Sequence, residues 1–272
     1  MTANEGRIEK FLKELQALER RPAEVEARVV MKCGRFASPE EALGDGAPWQ
    51  AFERGRTWGG RYAHAWFHVE AEIGEDAPDC ELAAEILTGQ PNRGHFAAVA
   101  QYAGADERPW DIMNPQFVVY VDGELDQGAD ANHRVVALGP CARGKRVLDF
   151  SAYGSANERL FFFDCNFFTR SGAVRALRVD VEMALECARR LEEHDARRIA
   201  MIESMQRAVD RVPLHLAGES RFSHAVADAR ALLEEEVYGR LGGLDEPSAL
   251  CVGHTHIDIG WLWTVEQTRE KA

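Results

Sequence analysis

The spacing of apolar residues changes twice along this chain, and these changes limit the folds that it can adopt. Ile8, Phe11 and Leu15 recur at helical spacing near the start, which predicts an amphipathic helix that ends at Arg21-Pro22. From about residue 49 to residue 177, apolar residues alternate with polar ones, as they do in half-buried strands. The helical spacing returns after residue 179.

The alternating pattern is clearest between residues 64 and 73. Every odd position is apolar, so that one face of a strand would carry Ala65, Phe67, Val69, Ala71 and Ile73. The opposite face would carry mostly polar side chains, at His64, His68, Glu70 and Glu72. Similar short segments follow, including one at residues 96–102, with turn signals at Gly89-Gln90-Pro91, Asp122-Gly123 and Gly139-Pro140. Many short strands predict an antiparallel β-sandwich, which we expect to be jelly-roll-like.

The helical stripes after residue 179 predict three helices, beginning near Val181, Ile199 and Phe222. Two acidic runs fall on the polar sides of these helices, at Glu192-Glu193 and Glu234-Glu235-Glu236. We interpret them as solvated faces rather than as general acids.

The composition indicates a folded protein that binds neither nucleic acid nor membranes. The 272 residues are 46% hydrophobic and 28% charged, which allows a sizeable buried core. The net charge of −13 argues against surfaces for nucleic acid or anionic lipid, because both depend on accumulated Lys and Arg. The chain shows no signal-like apolar start and no membrane-length apolar run, so we expect a cytoplasmic location. The cysteines are accordingly interpreted as reduced thiols.

Chemically active side chains concentrate near residue 256. The apolar run from residue 248 to 253 predicts a buried strand, and it leads into His254-Thr255-His256-Ile257-Asp258 and then Trp261. In extended backbone, residues two apart share one side and lie about 6.6 Å apart, so His256 and Asp258 could bind one cation. In a straight strand, His254 would lie about 13 Å from Asp258, too far for the two to share an ion.

Zinc is the metal that this pair suits, because imidazole and carboxylate groups bind it at about 2.0–2.2 Å. A catalytic zinc usually takes three protein ligands, so the pair is not a complete site. A His-x-Asp pair also occurs without a metal, the imidazole being hydrogen-bonded to a neighbour. The spacing alone leaves both interpretations open.

The residues from Gly253 to Trp263, continuing through Glu266-Gln267-Thr268-Arg269-Glu270-Lys271, resemble the opening signature of the catalytic domain of glycoside hydrolase family 38 α-mannosidases. The resemblance is closest to the long cytosolic and bacterial type. Segments 117–124 and 148–154 are similar to the N-terminal β-sandwich of these long enzymes.

The resemblance implies a retaining exo-α-mannosidase that uses Zn²⁺ and acts on a mannose-containing oligosaccharide. His256 and Asp258 would be zinc ligands, and Trp261 would form part of the wall against the bound mannose. The parent enzyme would be a homo-oligomer. In the family, the nucleophile and the other zinc ligands come later in the chain, so we expect residues 1–272 to be the N-terminal part of such an enzyme and inactive alone.

The predicted fold is therefore mainly β with added α structure, in four parts. They are an N-terminal helix and lead-in (1–48), the β-sandwich (49–178), a helical connecting region (179–245), and the first strand and helix of an α/β-barrel catalytic domain (246–272).

Two other functions remain open. A different zinc-dependent carbohydrate hydrolase, such as a deacetylase, could use a His-x-Asp pair to hold a metal that activates water. A carbohydrate-binding or assembly module would need no catalysis at all. The predicted sandwich offers aromatic side chains that could stack on sugars, although such side chains are usually core residues: Trp58, Trp66, Trp110 and Tyr153.

Overall fold

The computed structural model describes residues 3–89, 115–130, 133–154 and 158–241. These residues form α-helices and antiparallel β-sheets in two compact units. The β unit spans Pro22–Phe168, and the helical unit combines residues 3–21 with residues 169–241. The predicted strand 96–102 and the predicted start of the catalytic barrel lie outside the described residues.

The described strands belong to two sheets. In chain order they are β1 (Arg20–Pro22), β2 (Val25–Cys33), β3 (Gln50–Ala51), β4 (Thr57–Gly59), β5 (His64–Ile73), β6 (Ala77–Gly89), β7 (Gln116–Val121), β8 (Glu124–Ala129), β9 (Val135–Cys141), β10 (Gly144–Tyr153) and β11 (Leu160–Ser171). The larger sheet has the order β3-β2-β5-β10-β7-β8. The smaller sheet has the order β1-β11-β6-β9, with β4 paired to β11.

The inner faces of the two sheets share one apolar core. Phe67 of β5 stacks on Phe163 of β11 with ring centroids 4.1 Å apart, and Trp58 packs edge-on against Phe67. The odd positions of β5 are buried as the alternation predicts. These antiparallel sheets are compatible with the predicted sandwich, and the jelly-roll topology stays a prediction.

Three strands of the larger sheet were not predicted, and the shortest of them is β3 (Gln50–Ala51). β2 lies within residues 22–48, which the sequence suggested were only a lead-in, and β8 follows the predicted turn at Asp122-Gly123. That turn is confirmed, since both residues have positive φ and join β7 to β8.

The turn predicted at Gly139-Pro140 was wrong. Both residues lie inside β9, where Gly139 has a φ of 81° and the pairing with β6 shifts its register at Glu81. A glycine at positive φ can form a bulge as readily as a turn, and here the chain reverses only after Cys141.

The helices are numbered in chain order, and the short α2 (Pro39–Gly44) belongs to the β unit. The helical unit contains α1 (Ala3–Glu19), α3 (Gly172–Arg189), α4 (Ala196–Arg211) and α5 (Ser220–Leu233), followed by a π-helical turn (Glu234–Tyr238) and the short α6 (Gly239–Leu241). The predicted stripes form its core, including Ile8, Leu15, Val181 and Val226. Ile199 is the exception, because the core side of α4 is formed by Met201, Met205 and Ala208 while Ile199 is exposed. None of the helices in this part of the chain is long and apolar enough to cross a membrane.

Ion pairs that are largely buried join distant parts of the helical unit. Glu5 of α1 pairs with Arg198 of α4 at 2.8 Å, and Glu19 pairs with Arg178 of α3 at 2.8 Å. Both carboxylates are almost completely buried. The pairs therefore help to hold α1 on the other helices.

Candidate functional site

The residues predicted to carry the chemistry, His256, Asp258 and Trp261, lie outside the described residues. Within the described ranges, no group of three or more His, Cys, Asp or Glu side chains could hold a metal ion. The zinc site therefore stays a prediction of the sequence, and its geometry is not part of the structure.

The described residues bring polar and aromatic side chains together at a different place, the outer face of the larger sheet. This face lies opposite the shared core and carries residues that alternate with core residues along each strand. Pairing between strands sets the rows: Asp149 of β10 lies opposite His68 of β5, and Ser151 lies opposite Trp66. Trp66 in turn lies opposite Lys32 of β2.

His68 and Asp149 form a short polar contact on this face. Nδ1 of His68 lies 2.7 Å from Oδ1 of Asp149, whose side chain is almost completely buried. This hydrogen bond is the main cause of a raised pKa of His68, and burial of the ring works against it. The negative charges of Asp149 and Glu70 also raise the pKa of His68, whereas the positive charge of Arg28 lowers it. In its protonated form His68 is a cation between the carboxylates of Asp149 and Glu70, and that form has no free lone pair with which to act as a general base.

Lys32 anchors a loop over one part of the outer face. Its ammonium donates to the carbonyl of Ala42 at 2.8 Å and to that of Asp45 at 2.9 Å, and it pairs with the Asp45 carboxylate. It also lies over the rings of Phe36 and Trp49. The Lys32 side chain is 2% exposed, so these groups replace the water that a charged amine requires.

The anchored loop contains α2 (Pro39–Gly44), which begins with a favourable cap. The hydroxyl of Ser38 accepts a hydrogen bond from the backbone N–H of Glu41, and Pro39 occupies the first turn. The Glu41 carboxylate accepts in return from the N–H of Ala37 at 2.6 Å. The backbone on this side of the outer face is therefore held by local bonds as well as by Lys32.

A cleft of about 500 Å³ lies between this loop and strands β5, β7 and β10. We call it the sheet cleft, and its main lining side chains are Arg35, Phe36, Glu41, Trp66, Tyr120 and Ser151. Tyr120 stacks on Trp66 with ring centroids 5.8 Å apart and an angle of 28° between the rings. The cleft thus combines aromatic surface with a guanidinium, a carboxylate and a hydroxyl group.

The aromatic residues considered for sugar stacking have different positions. Trp58 belongs to the shared core, which makes it unable to contact a sugar. Tyr153 is also buried, and its ring packs beside His64. Trp66 is buried too, but it forms the floor of the sheet cleft beneath Tyr120. Trp110 lies outside the described residues.

The sequence interpretation did not select Lys32, Asp149 or Tyr120. The sequence pattern does indicate that Asp149 and Tyr120 lie on the outer face, since each is a polar or amphipathic residue between apolar neighbours. This alternation does not show which residue of a neighbouring strand lies beside each of them. The acidic runs behave as predicted, being exposed or half-exposed, and Glu236 pairs with Arg207.

The five described cysteines are free, and the interpretation as reduced thiols stays a prediction. Burial raises the pKa of the Cys165 thiol to about 12, so this group stays protonated. Cys251 lies outside the described residues.

Comparison with known families bears on the C-terminal segment. Residues 246–272 match the family model of the glycosyl hydrolases family 38 N-terminal domain. The matched range includes His256, Asp258 and Trp261, and it supports a glycosidase of family 38. No curated protein matches the chain.

Proposed function

We propose that this chain is the N-terminal part of a zinc-dependent retaining α-mannosidase of glycosyl hydrolase family 38. The enzyme would release terminal α-mannosyl residues from oligosaccharides. The observation that carries the proposal is the family match over residues 246–272, which contains the His-x-Asp pair. The spacing argument supports it from a second direction, because alternate residues of an extended segment can share one ion.

In this proposal His256 and Asp258 hold the metal, and Trp261 forms an apolar wall beside the mannose ring. The donor set fits zinc, since a neutral imidazole and a carboxylate are ligands that zinc accepts. When bound, zinc would supply a Lewis acid for the 2- and 3-hydroxyl groups of the sugar. Trp261 would orient the ring and exclude water from one side of it.

The remaining features of the proposal concern the whole enzyme. A retaining mechanism needs a nucleophilic carboxylate and an acid/base carboxyl group about 5–5.5 Å apart. We propose that both belong to the same catalytic domain as His256. We further propose a homo-oligomeric, cytoplasmic enzyme with a jelly-roll-like sandwich beside an α/β-barrel; the free cysteines support the cytoplasmic location.

The proposal is tested by metal analysis and activity measurements on the full-length protein. His256→Ala and Asp258→Asn should each lose bound zinc after dialysis, and each should also lose the ability to hydrolyse p-nitrophenyl α-mannoside. The reason is that each substitution removes a side chain that binds the ion directly. His254→Ala is the matched control: it removes an imidazole from the same segment and should retain zinc. Release of α-mannose as the first product would establish retention.

Different outcomes separate the alternatives. Equal zinc content in all three variants would contradict the metal assignment. A deacetylase would be identified instead if the wild-type protein releases acetate from N-acetylated oligosaccharides but no mannose, and if the His256 and Asp258 variants lose both zinc and this activity. A protein that binds mannosides without hydrolysing them would favour the carbohydrate-binding module.

A further inference from the structure

We propose that the sheet cleft binds a neutral glycan as a non-catalytic site, through lining residues that do not belong to segment 246–272. Only the choice of mannosides as the first test sugars rests on the proposed function. The proposal itself rests on the rings, the polar groups and the rigidity of the cleft.

The rings provide a surface that suits a sugar. Trp66 is 1% exposed and supports Tyr120, which is half-exposed and stacks on it at 5.8 Å. Phe36 is also half-exposed and lines the same cleft. Pyranose rings have one or two faces made of C–H groups, and these pack on the electron-rich faces of aromatic rings.

The polar groups favour a ligand that both donates and accepts hydrogen bonds. Arg35 offers donors in a planar fork, Glu41 offers acceptors, and the hydroxyl of Ser151 can do either. The charges of Arg35 and Glu41 have opposite sign, so the cleft does not select strongly for an anion or a cation. Neighbouring hydroxyl groups of a sugar match this mixture, because each hydroxyl both donates and accepts.

The cleft also has the size and rigidity of a binding site. A volume of about 500 Å³ lies within the range of small-molecule sites and can hold one or two sugar rings. The loop that carries Phe36 and Glu41 is held to the sheet through the buried ammonium of Lys32, which bonds to Ala42 and Asp45. A site that is already ordered loses less conformational entropy when its ligand binds.

The experiment titrates the full-length protein with α-mannobiose, cellobiose and maltose in the presence of EDTA, which removes bound metal ions. Binding is measured by calorimetry and by tryptophan fluorescence. Tyr120→Ala and Arg35→Ala should each weaken binding by about tenfold, the effect of losing one good contact. Tyr62→Ala and Arg28→Ala are matched controls, because both are exposed residues of the β unit that do not line the cleft. They should leave the affinity unchanged.

The outcomes distinguish this proposal from the proposed function. Binding that persists in EDTA and in His256→Ala, but is lost in Arg35→Ala, supports the cleft whether or not the protein hydrolyses mannosides. If cellobiose or maltose binds through the same residues and α-mannobiose does not, the cleft is still a glycan-binding site, but mannosides are not its ligands. The proposal is overturned if none of the three sugars binds, or if binding is equal in the cleft variants and the controls. Thermal unfolding of each variant checks that a loss of binding does not come from a loss of fold.

Discussion

His68 and Asp149 lie 81 positions apart in the chain, yet their side chains meet at 2.7 Å on the outer face of the larger sheet. The contact exists because β5 and β10 pair in a register that puts the two residues opposite each other. It ties the two strands together with a charged hydrogen bond in a half-buried position.

The contact should make the stability of the protein depend on pH. The pKa of His68 is raised in the folded state, so its stabilising effect is complete below the pKa of the unfolded chain, about 6.5, and is lost as pH rises through the higher folded value. We therefore expect the wild-type advantage over Asp149→Asn in free energy of unfolding to be larger at pH 5.5 than at pH 9. Urea unfolding at both pH values measures it.

Asp130→Asn is the control for this prediction. Asp130 lies 3.2 Å from His133, but the His133 side chain is 77% exposed, and exposed ion pairs contribute little to stability. An equal pH dependence in wild type and Asp149→Asn would contradict the role given to the His68 contact.

Lys32→Met should loosen the loop that borders the sheet cleft. Methionine fills a similar volume but leaves the carbonyls of Ala42 and Asp45 without the donor that now reaches them, at a cost of about 1–3 kcal/mol. Hydrogen exchange should accelerate over Pro39–Gly44 more than in β5. Lys145→Met, a substitution at an exposed position of β10, should change neither the free energy of unfolding nor the exchange rate of the loop. Loop exchange in Lys32→Met that is as slow as in the wild-type protein would contradict the role of Lys32 as an anchor.

Phe163→Ala should destabilise the β unit strongly. Phe163 is buried and stacks on Phe67 at 4.1 Å, so truncation removes contacts from both sheets and leaves a cavity. The expected loss in free energy of unfolding is about 3–5 kcal/mol. Leu125→Ala, at a position that is 66% exposed, should change stability by less than about 0.5 kcal/mol. Similar midpoints for the two variants in denaturant would contradict the assigned core.

Arg198→Met should destabilise the helical unit by about 3–5 kcal/mol, because it removes the charged partner of a buried carboxylate, Glu5. The double variant with Glu5→Leu should recover part of this loss. Arg197→Met next to it is the matched control, since Arg197 is largely exposed and should tolerate the change. A double variant less stable than Arg198→Met would show that the pair is not the source of the effect.

Trp261→Ala should weaken substrate binding without removing the metal, if the proposed function holds. Loss of a stacking ring corresponds to about a tenfold rise in KM for p-nitrophenyl α-mannoside. Zinc content should stay at the wild-type value, unlike that of His256→Ala. Loss of zinc in Trp261→Ala would mean that the residue supports the metal rather than the sugar.

The four long helices and most strands could be predicted because their sequence patterns are local. The alternation along residues 64–73 and the stripe through Val181 and Leu185 depend on neighbours only a few positions away. The segment β2 was missed because its outer positions include Val30 and its inner ones Ala27, which weakens the contrast between the faces. Gly139-Pro140 was misjudged because a bulge and a turn use the same residue types.

The sequence by itself determined the type and the buried face of the long helices and of strands such as β5, and it contains the His256-x-Asp258 pattern that the family match covers. These features depend on side-chain chemistry and on backbone periods of 2 and 3.6 residues. Only the tertiary structure decided which distant residues meet: His68 with Asp149, Glu5 with Arg198, and Lys32 with the loop beside the sheet cleft. Such contacts depend on strand order, register and helix packing, which are set by the free energy of the whole fold and leave no periodic signal in the chain.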